Sequence, residues 1–328
     1  MPREEALIRQ LYVKIKRRSL PVDVMDDLFE AEVDSNLQLP DMCVLHLHDP
    51  EVELINEGPF DLGAEIQVGV ADEQGRGDAV LFLGEITGLE PSFGEGMAAD
   101  LTVRAYDHSH KLHRGVHTKS YVKMSDSDIA NDIASSVGLR AEVDPSSPIY
   151  EHVYQDGQSY MGFLRERARQ IGYDFYVRDR TLYFKRSDGQ PGEVVDLEWG
   201  RQLRSFHPVL TLGEQISEVQ VKGWDLSTKR EIVGQATSGQ AAPEIGESSS
   251  GADFAEDSFG AVSGLAVRTR ASSQDEANTL AQALLDERDG AFVQADGLCS
   301  GTPEIALKRV LFPAPFGERF NGRYKVTS

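Results

Sequence analysis

The chain has little cysteine: two residues in 328, Cys43 and Cys299. A pair so far apart excludes a CxxC metal or redox motif. Reduced, buried thiols are the default expectation for a chain folded in the cytosol. Long apolar runs are missing as well. The N-terminal MPREEALIRQLYVKIKRRSL has no continuous apolar core, so it does not read as a signal peptide. No run approaches the roughly 20 apolar residues that cross a bilayer. Both absences predict a soluble chain without stable membrane insertion of its own, exported only as part of a larger particle. Basic residues are in deficit, 33 Lys and Arg against 54 Asp and Glu, for a formal net charge of -21. That balance repels phosphate backbones, so no direct nucleic-acid binding is expected through overall charge. No GxGxxG leads from a strand into a helix, and neither a Walker pattern nor GxSxG occurs. Neither a Ser-His-Asp nor a Cys-His spacing stands out, and carboxylates are too abundant for any one pair to be informative. The expectation is no catalytic residue, no cofactor and no metal.

What is present is mostly strand. In residues 1–107, short runs alternate or are apolar. Tyr12, Val13 and Ile15 begin one. Cys43, Leu45 and Leu47 alternate with Val44, His46 and His48 in another. Ile66–Val70, Val80–Ile86 and Leu101–Asp107 follow, with turns expected at Gln74–Asp78 and Glu95–Gly96. Several short strands at this spacing predict a small barrel or sandwich.

Residues 108–190 change character. Ser125 with an acid three residues on is a capping-box start, and Ile129, Ile133 and Val137 form a helical stripe ended by Gly138. In YEHVYQDGQSYMGFLRERARQIGYDFYVRDRTLYFKR, residues 150–186, Tyr160, Phe163, Leu164, Ala168 and Ile171 recur at helical spacing. Gln155-Asp156-Gly157 is expected as the turn before this helix and Gly172 as its C-cap. The period then drops to two, with Tyr173, Phe175 and Val177 on one face. Arg178-Asp179-Arg180 turns the chain into Leu182-Tyr183-Phe184. Residues 191–328 return to strands, interrupted by a loop expected at about 240–264 and by a helix at about 273–289. That helix is capped by Ser272 or Ser273, with Ala277, Leu280, Ala281, Leu284 and Leu285 on its apolar face. Pro313 and Pro315 are expected in one connection and Asn321-Gly322 in another.

Val103-Arg104-Ala105-Tyr106-Asp107-His108-Ser109-His110-Lys111 aligns with Val221-Lys222-Gly223-Trp224-Asp225-Leu226-Ser227-Thr228-Lys229. The shared pattern, V-[RK]-[AG]-[YW]-D-x-S-x-K, reads as two copies of one barrel. Each aspartate is expected to cap the turn after its strand, and each aromatic to sit in the barrel wall or core.

The stretch 150–186, together with Leu39-Pro40-Asp41-Met42, Gly84-Glu85-Ile86-Thr87, Glu218–Asp225, Ser272–Leu285 and Arg319–Thr327, resembles the late control D family of contractile-tail phages. That family includes the hub part of VgrG-like spikes. One departure is Asp179-Arg180, where the family pattern has Asp-Gly. The resemblance implies a mostly β, α+β chain with two similar small β-barrel domains, residues 1–107 and 191–328, and an inserted α+β domain at 108–190. It further implies a homotrimer closing into a pseudo-sixfold ring. Such a ring is a structural adaptor between a sixfold tail tube protein above and a threefold membrane-piercing spike below, in contact with other baseplate proteins. Assembly would take place in the cytoplasm, and the chain would become part of the baseplate of a phage virion or injection particle. In fused relatives the chain continues into a further barrel and a needle. This sequence stops at Ser328, so the spike is a separate polypeptide or this chain is its hub portion.

Rival readings rest on particular residues. His108, His110, His113 and His117 are half of the eight histidines and fit a zinc hydrolase, although Lys111, Arg114 and Lys119 among them disfavour a cation. A cell-wall-degrading tail enzyme and a carbohydrate-binding β-protein are two further rivals. His46 and His48 read as barrel wall. Arg165, Arg167 and Arg169 read as a solvated helix face or, more sharply, as an assembly contact.

Overall fold

The computed structural model describes residues 9–37, 39–72, 79–95, 99–187, 194–225, 228–237, 239, 251–266, 271, 273–301, 303–307, 309–317 and 319–328. It is mostly β with some helices, as expected. Two compact units emerge, one of residues 1–114 with 176–182 and 328, the other of 115–175 with 183–327.

The first unit contains β1 (Arg9–Ile15), β2 (Arg18–Ser19), α1 (Val22–Asp26), β3 (Leu28–Asp34), β4 (Met42–His48), α2 (Glu53–Glu57), β5 (Glu65–Asp72), β6 (Ala79–Phe93), β7 (Ala99–Asp107) and α3 (His110–His113). Its strands form one seven-stranded sheet in the order β2-β1-β5-β6-β7-β4-β3. Val13 and Ile15 of β1 share a single apolar cluster with Cys43, Leu45 and Leu47 of β4. In a flat sheet those strands would lie four spacings, or about 19 Å, apart. The sheet therefore curls into a half-barrel around that core. The period-two pattern makes this possible: Leu101, Val103 and Ala105 of β7 are fully buried while their neighbours are not.

The second unit begins with β8 (His117–Met124), α4 (Asp126–Ser136), β9 (Arg140–Val143), β10 (Tyr150–Gln158), α5 (Tyr160–Gln170), β11 (Tyr173–Arg178) and β12 (Thr181–Arg186), except that residues 176–182 of the last two strands and their turn belong to the first unit. It continues with β13 (Val194–Glu198), β14 (Leu203–Leu210), β15 (Glu218–Asp225), β16 (Arg230–Ala236), α6 (Gly251–Phe259), β17 (Ser263–Ala266), α7 (Gln274–Asp289), β18 (Val293–Cys299), β19 (Val310–Ala314) and β20 (Tyr324–Lys325). The capping box of α4 is complete: Ser125 accepts from the Asp128 amide, and the Asp128 carboxylate accepts from the Ser125 amide. Gly138 and Gly172 follow their helices with φ of +75° and +66°, the left-handed end that glycine adopts without strain. Ile129, Ile133, Phe163, Leu164 and Ala168 are buried, so both helical stripes face a core.

The C-terminal strands form three small sheets, β13-β19-β20, β14-β18 and β16-β15-β17. Helix α7, capped by Ser273, lays Ala277, Leu280, Ala281 and Leu285 on Val219, Val221, Ile232 and Ala236. The approach is close. A Cβ on Gly234 would stand 2.2 Å from backbone atoms of Ala277, so only glycine lets the helix lie on β16.

Four expectations are corrected. Gln155–Gly157 lies within β10, at a bulge, and the cap of α5 is Ser159, which accepts from the Gly162 amide. Gly251–Phe259 is a helix and Ser263–Ala266 a strand where a loop was expected, because Ala255 is buried and Phe254 stacks on Phe292 at 5.9 Å. Residues 240–250 of that stretch, like the Gln74–Asp78 turn, lie outside the described residues. Pro313 sits inside β19, pairing in parallel with β13 opposite Leu197. Of the two places expected for the aromatics, the core is ruled out for Trp224, which lies on β15 and is 54% exposed, while its counterpart Tyr106 on β7 is half-buried.

Candidate functional site

The sequence-derived positions gather into two polar clusters. The first lies at the end of β7, within the first unit. Asp107 closes the strand, and its Oδ1 accepts from the Ser109 hydroxyl at 2.6 Å and the Ser109 amide at 3.3 Å. In the aligned copy, Asp225 accepts from the Thr228 hydroxyl at 2.6 Å and the Thr228 amide at 3.2 Å. The turn-capping role expected of both aspartates is thus present, although Leu226 and Ser227 lie outside the described residues. Burial pushes the Asp107 carboxyl up to about 7. The Ser109 hydroxyl opposes the rise and nearby Asp41 adds to it.

Behind Asp107 is a charged knot centred on Glu85 of β6. Lys111 Nζ donates to Glu85 Oε1 at 2.6 Å, and His110 Nε2 lies 2.9 Å from Oε2. Burial alone would raise the Glu85 pKa, but these contacts outweigh it and hold the carboxylate below its usual range. His108 is 2% exposed, with Nε2 3.8 Å from Glu85, and burial holds its imidazole toward the neutral form. The tip of the β11–β12 hairpin, residues 176–182, belongs to this unit, and Arg180 pairs with Glu65. Asp179 takes the positive φ of that turn, +55°, a conformation aspartate tolerates, so the glycine of the family pattern is not required.

The four histidines have different surroundings. His108 and His110 face Glu85, His113 is exposed, and His117 stacks on Tyr160 at 3.8 Å. Among the described residues, no group of three His, Cys, Asp or Glu side chains has a metal-holding arrangement. His46 bonds to Thr102 and His48 to Asp100, and Phe29 stacks on His48 at 4.5 Å on the outer face of the half-barrel. Lys16 pairs with Asp61 and Arg17 with Glu65.

The second cluster was invisible in the sequence. Arg167, read as part of a solvated face, is 9% exposed, and its guanidinium forks onto Asp126 with Nε–Oδ1 2.5 Å and Nη2–Oδ2 3.1 Å. Tyr150 donates its hydroxyl to Asp126 at 3.1 Å and places its ring 4.5 Å from the guanidinium carbon. Nη1 donates to Gln170. Burial works against the arginine's charge, but the Asp126 carboxylate outweighs it and raises the pKa above the ordinary value. This pair ties α4 to α5. Arg169 extends from α5 to Glu287 of α7 at 2.9 Å, in an exposed pair. Arg165 is half-buried. Helical spacing finds the stripe of α5 but not Arg167, since an arginine beside the stripe looks the same buried or solvated.

Within these clusters Glu85 is held by Lys111 and His110, and Asp126 by Arg167 and Tyr150, whereas both ring nitrogens of the buried His108 are without a hydrogen-bond partner.

Residues 36–328 match the family model described as the Alg8 N-terminal domain. The chain belongs to the Alg8 N-terminal domain family. No curated protein matches it. Among solved structures, the 43 kDa tail protein of prophage MuSo2 from Shewanella oneidensis is similar with a TM-score of 0.70 at 13% identity, over 97% of this chain and 92% of that one. A tail protein from Neisseria meningitidis MC58 is similar with a TM-score of 0.66 at 12% identity, over 97% and 90%. Prophage tail protein gp18 from Listeria monocytogenes EGD-e is similar with a TM-score of 0.57 at 11% identity, over 97% and 88%. This member of the Alg8 N-terminal domain family thus has the fold of phage tail proteins along nearly its whole length, in line with the resemblance read from its sequence. No described helix is long and apolar enough to cross a membrane.

Proposed function

We propose that the chain is the structural hub of a contractile injection baseplate. Three copies form an adaptor that joins a sixfold tail tube to a threefold spike, in contact with other baseplate proteins. The observation that carries this reading is the tail-protein fold spanning 97% of the chain, combined with the late control D phrases. The clusters around Glu85 and Asp126 support a scaffold role rather than turnover, because their charged groups are spent on one another. Residues 1–107 and 191–328 act as the two barrel-derived halves, with 108–190 between them. The turn caps at Asp107 and Asp225 are what the halves share most visibly. Assembly occurs in the cytoplasm, and the finished chain resides in the particle. A zinc hydrolase centred on His108–His117 draws no support from the dispersed positions of those side chains.

The test is reconstitution. Co-expression with the neighbouring tube and spike genes is expected to give a complex holding this chain between the two. A chain that purifies apart from both, and that releases sugars from peptidoglycan, would replace this reading with the tail-enzyme one.

A further inference from the structure

His108 follows β7 directly, and in the first unit it is buried to 2% exposure. Among the described residues, neither Nδ1 nor Nε2 has a hydrogen-bond partner. Buried polar atoms are nearly always paired, so a ring left in this state is costly. A carboxylate stands close but is already engaged. Glu85 Oε1 lies 3.8 Å from His108 Nε2, beyond hydrogen-bond reach, and it accepts from Lys111 Nζ at 2.6 Å. The other oxygen of Glu85 lies 2.9 Å from His110 Nε2.

Charged groups on several elements act on the ring. Lys111 of α3 and Arg180 at the tip of the β11–β12 hairpin disfavour a positive charge there, whereas Glu85 of β6 and Glu65 of β5 favour one. Glu65 is itself paired with Arg17 and Arg180. Asp107, the preceding residue, is buried with its carboxyl turned to Ser109, and Asp41 acts on it. Burial outweighs these influences on His108 and keeps the ring neutral.

The ring belongs to a short segment that is held shut. The Lys111 amide donates to the His108 carbonyl at 3.3 Å, the Leu112 amide to the Ser109 carbonyl at 2.9 Å and the Arg114 amide to the Lys111 carbonyl at 3.3 Å. Leu112 is fully buried, which keeps the closed form in the majority. Residues 108–114 end the run 1–114 of the first unit, and the chain enters the second at Gly115. An open form of this segment puts the ring in water, where it takes a proton at the ordinary imidazole value. The closed form takes one less readily. A ligand that binds one of two states better shifts the population toward that state, and here the ligand is the proton.

We propose that His108 is an acid-sensitive latch: residues 108–114 stay closed on the neutral ring and open when the ring gains a proton. The closed form binds fewer protons at His108 than the open form, so this contribution is lost as pH falls below the ordinary 6.5. Asp107 acts in the opposite sense, because burial raises its carboxyl to about 7 and the closed form holds the extra proton. The inference does not depend on the hub reading.

The test is amide exchange of residues 108–114 in the full chain at pH 7.5 and pH 5.5, corrected for the intrinsic rate, in the wild type and in His108→Gln. Glutamine is neutral at both pH values, so the ratio of the two protections cancels the titrations of Asp107 and His110. The ratio is expected to fall about tenfold, the open-state gain for a group that titrates at 6.5 when open and stays neutral when closed. A ratio unchanged within about twofold would overturn the proposal. A second measurement needs no variant: the His108 ring signal in a nuclear magnetic resonance titration of the wild type. The protonated signal is expected to grow in together with loss of protection in 108–114. A ring that titrates at or above pH 6.5 while those amides stay protected would overturn the proposal as well.

Discussion

Replacing Arg167 by Met should be the most damaging single change on α5. The substitution keeps most of the apolar stem but removes the guanidinium from Asp126, whose side chain is 0% exposed. The carboxylate then keeps only the Tyr150 hydroxyl at 3.1 Å. Breaking a buried ion pair from one side typically costs about 3–5 kcal/mol, because the remaining charge is stranded in low dielectric. Asp126→Asn should cost a similar amount by stranding the cation. The double variant Arg167→Met/Asp126→Asn buries no charge and should recover much of the loss, giving a coupling of at least about 2 kcal/mol in the double-mutant cycle. The assay is urea unfolding at pH 7 followed by far-ultraviolet circular dichroism, repeated at high salt, where a pair this deep should be nearly insensitive. Single-variant costs below about 1 kcal/mol, or additivity within about 0.5 kcal/mol, would refute the reasoning and return Arg167 to the solvated face.

Other expectations follow from single contacts. Asp107, raised to about 7 chiefly by burial, keeps its proton in the folded chain over a window, from about pH 4 to 7, in which the unfolded chain has lost it. Stability should therefore fall as pH rises through that window. Asp107→Asn should flatten this slope and add up to about 4 kcal/mol at pH 8 while retaining an acceptor for Ser109. An unchanged pH profile of unfolding would contradict the burial of this carboxyl. Ser125→Ala removes one side of the α4 capping box and should cost about 1 kcal/mol in chemical denaturation, with Ser125→Gly milder. Gly234→Val cannot be accommodated beneath Ala277, so α7 should separate from β16, seen as faster proteolysis within 274–289, whereas an undisturbed digest would put the helix elsewhere.

Much of the fold was legible because its determinants are local. The capping box at Ser125, the glycines after α4 and α5, and the alternation of β4 and β7 are each written within a few residues, so pattern and structure agree. Where a tertiary partner decides, the sequence is silent or misleading. Gln155-Asp156-Gly157 has turn composition, but cross-strand pairing with β8 carries it into a strand. The acidic, small-residue stretch before Gly260 looks like a loop until Phe292, far along the chain, supplies a ring for Phe254. Tyr106 and Trp224 align in sequence, and each lies on a strand with a neighbour on both sides, yet Tyr106 is half-buried and Trp224 54% exposed, a difference set by packing and not by the shared pattern. The Asp126–Arg167 pair joins residues 41 positions apart, a separation at which charge pattern carries no pairing information.

We propose that three of these chains make one adaptor ring in an injection particle. The measurement that bears on it most directly is an electron cryomicroscopy map of the assembled particle, with the copies of this chain counted at the junction of tube and spike. Three copies are expected, each contributing two positions to a pseudo-sixfold ring. Six copies, a single copy, or density for this chain only outside the baseplate would contradict it.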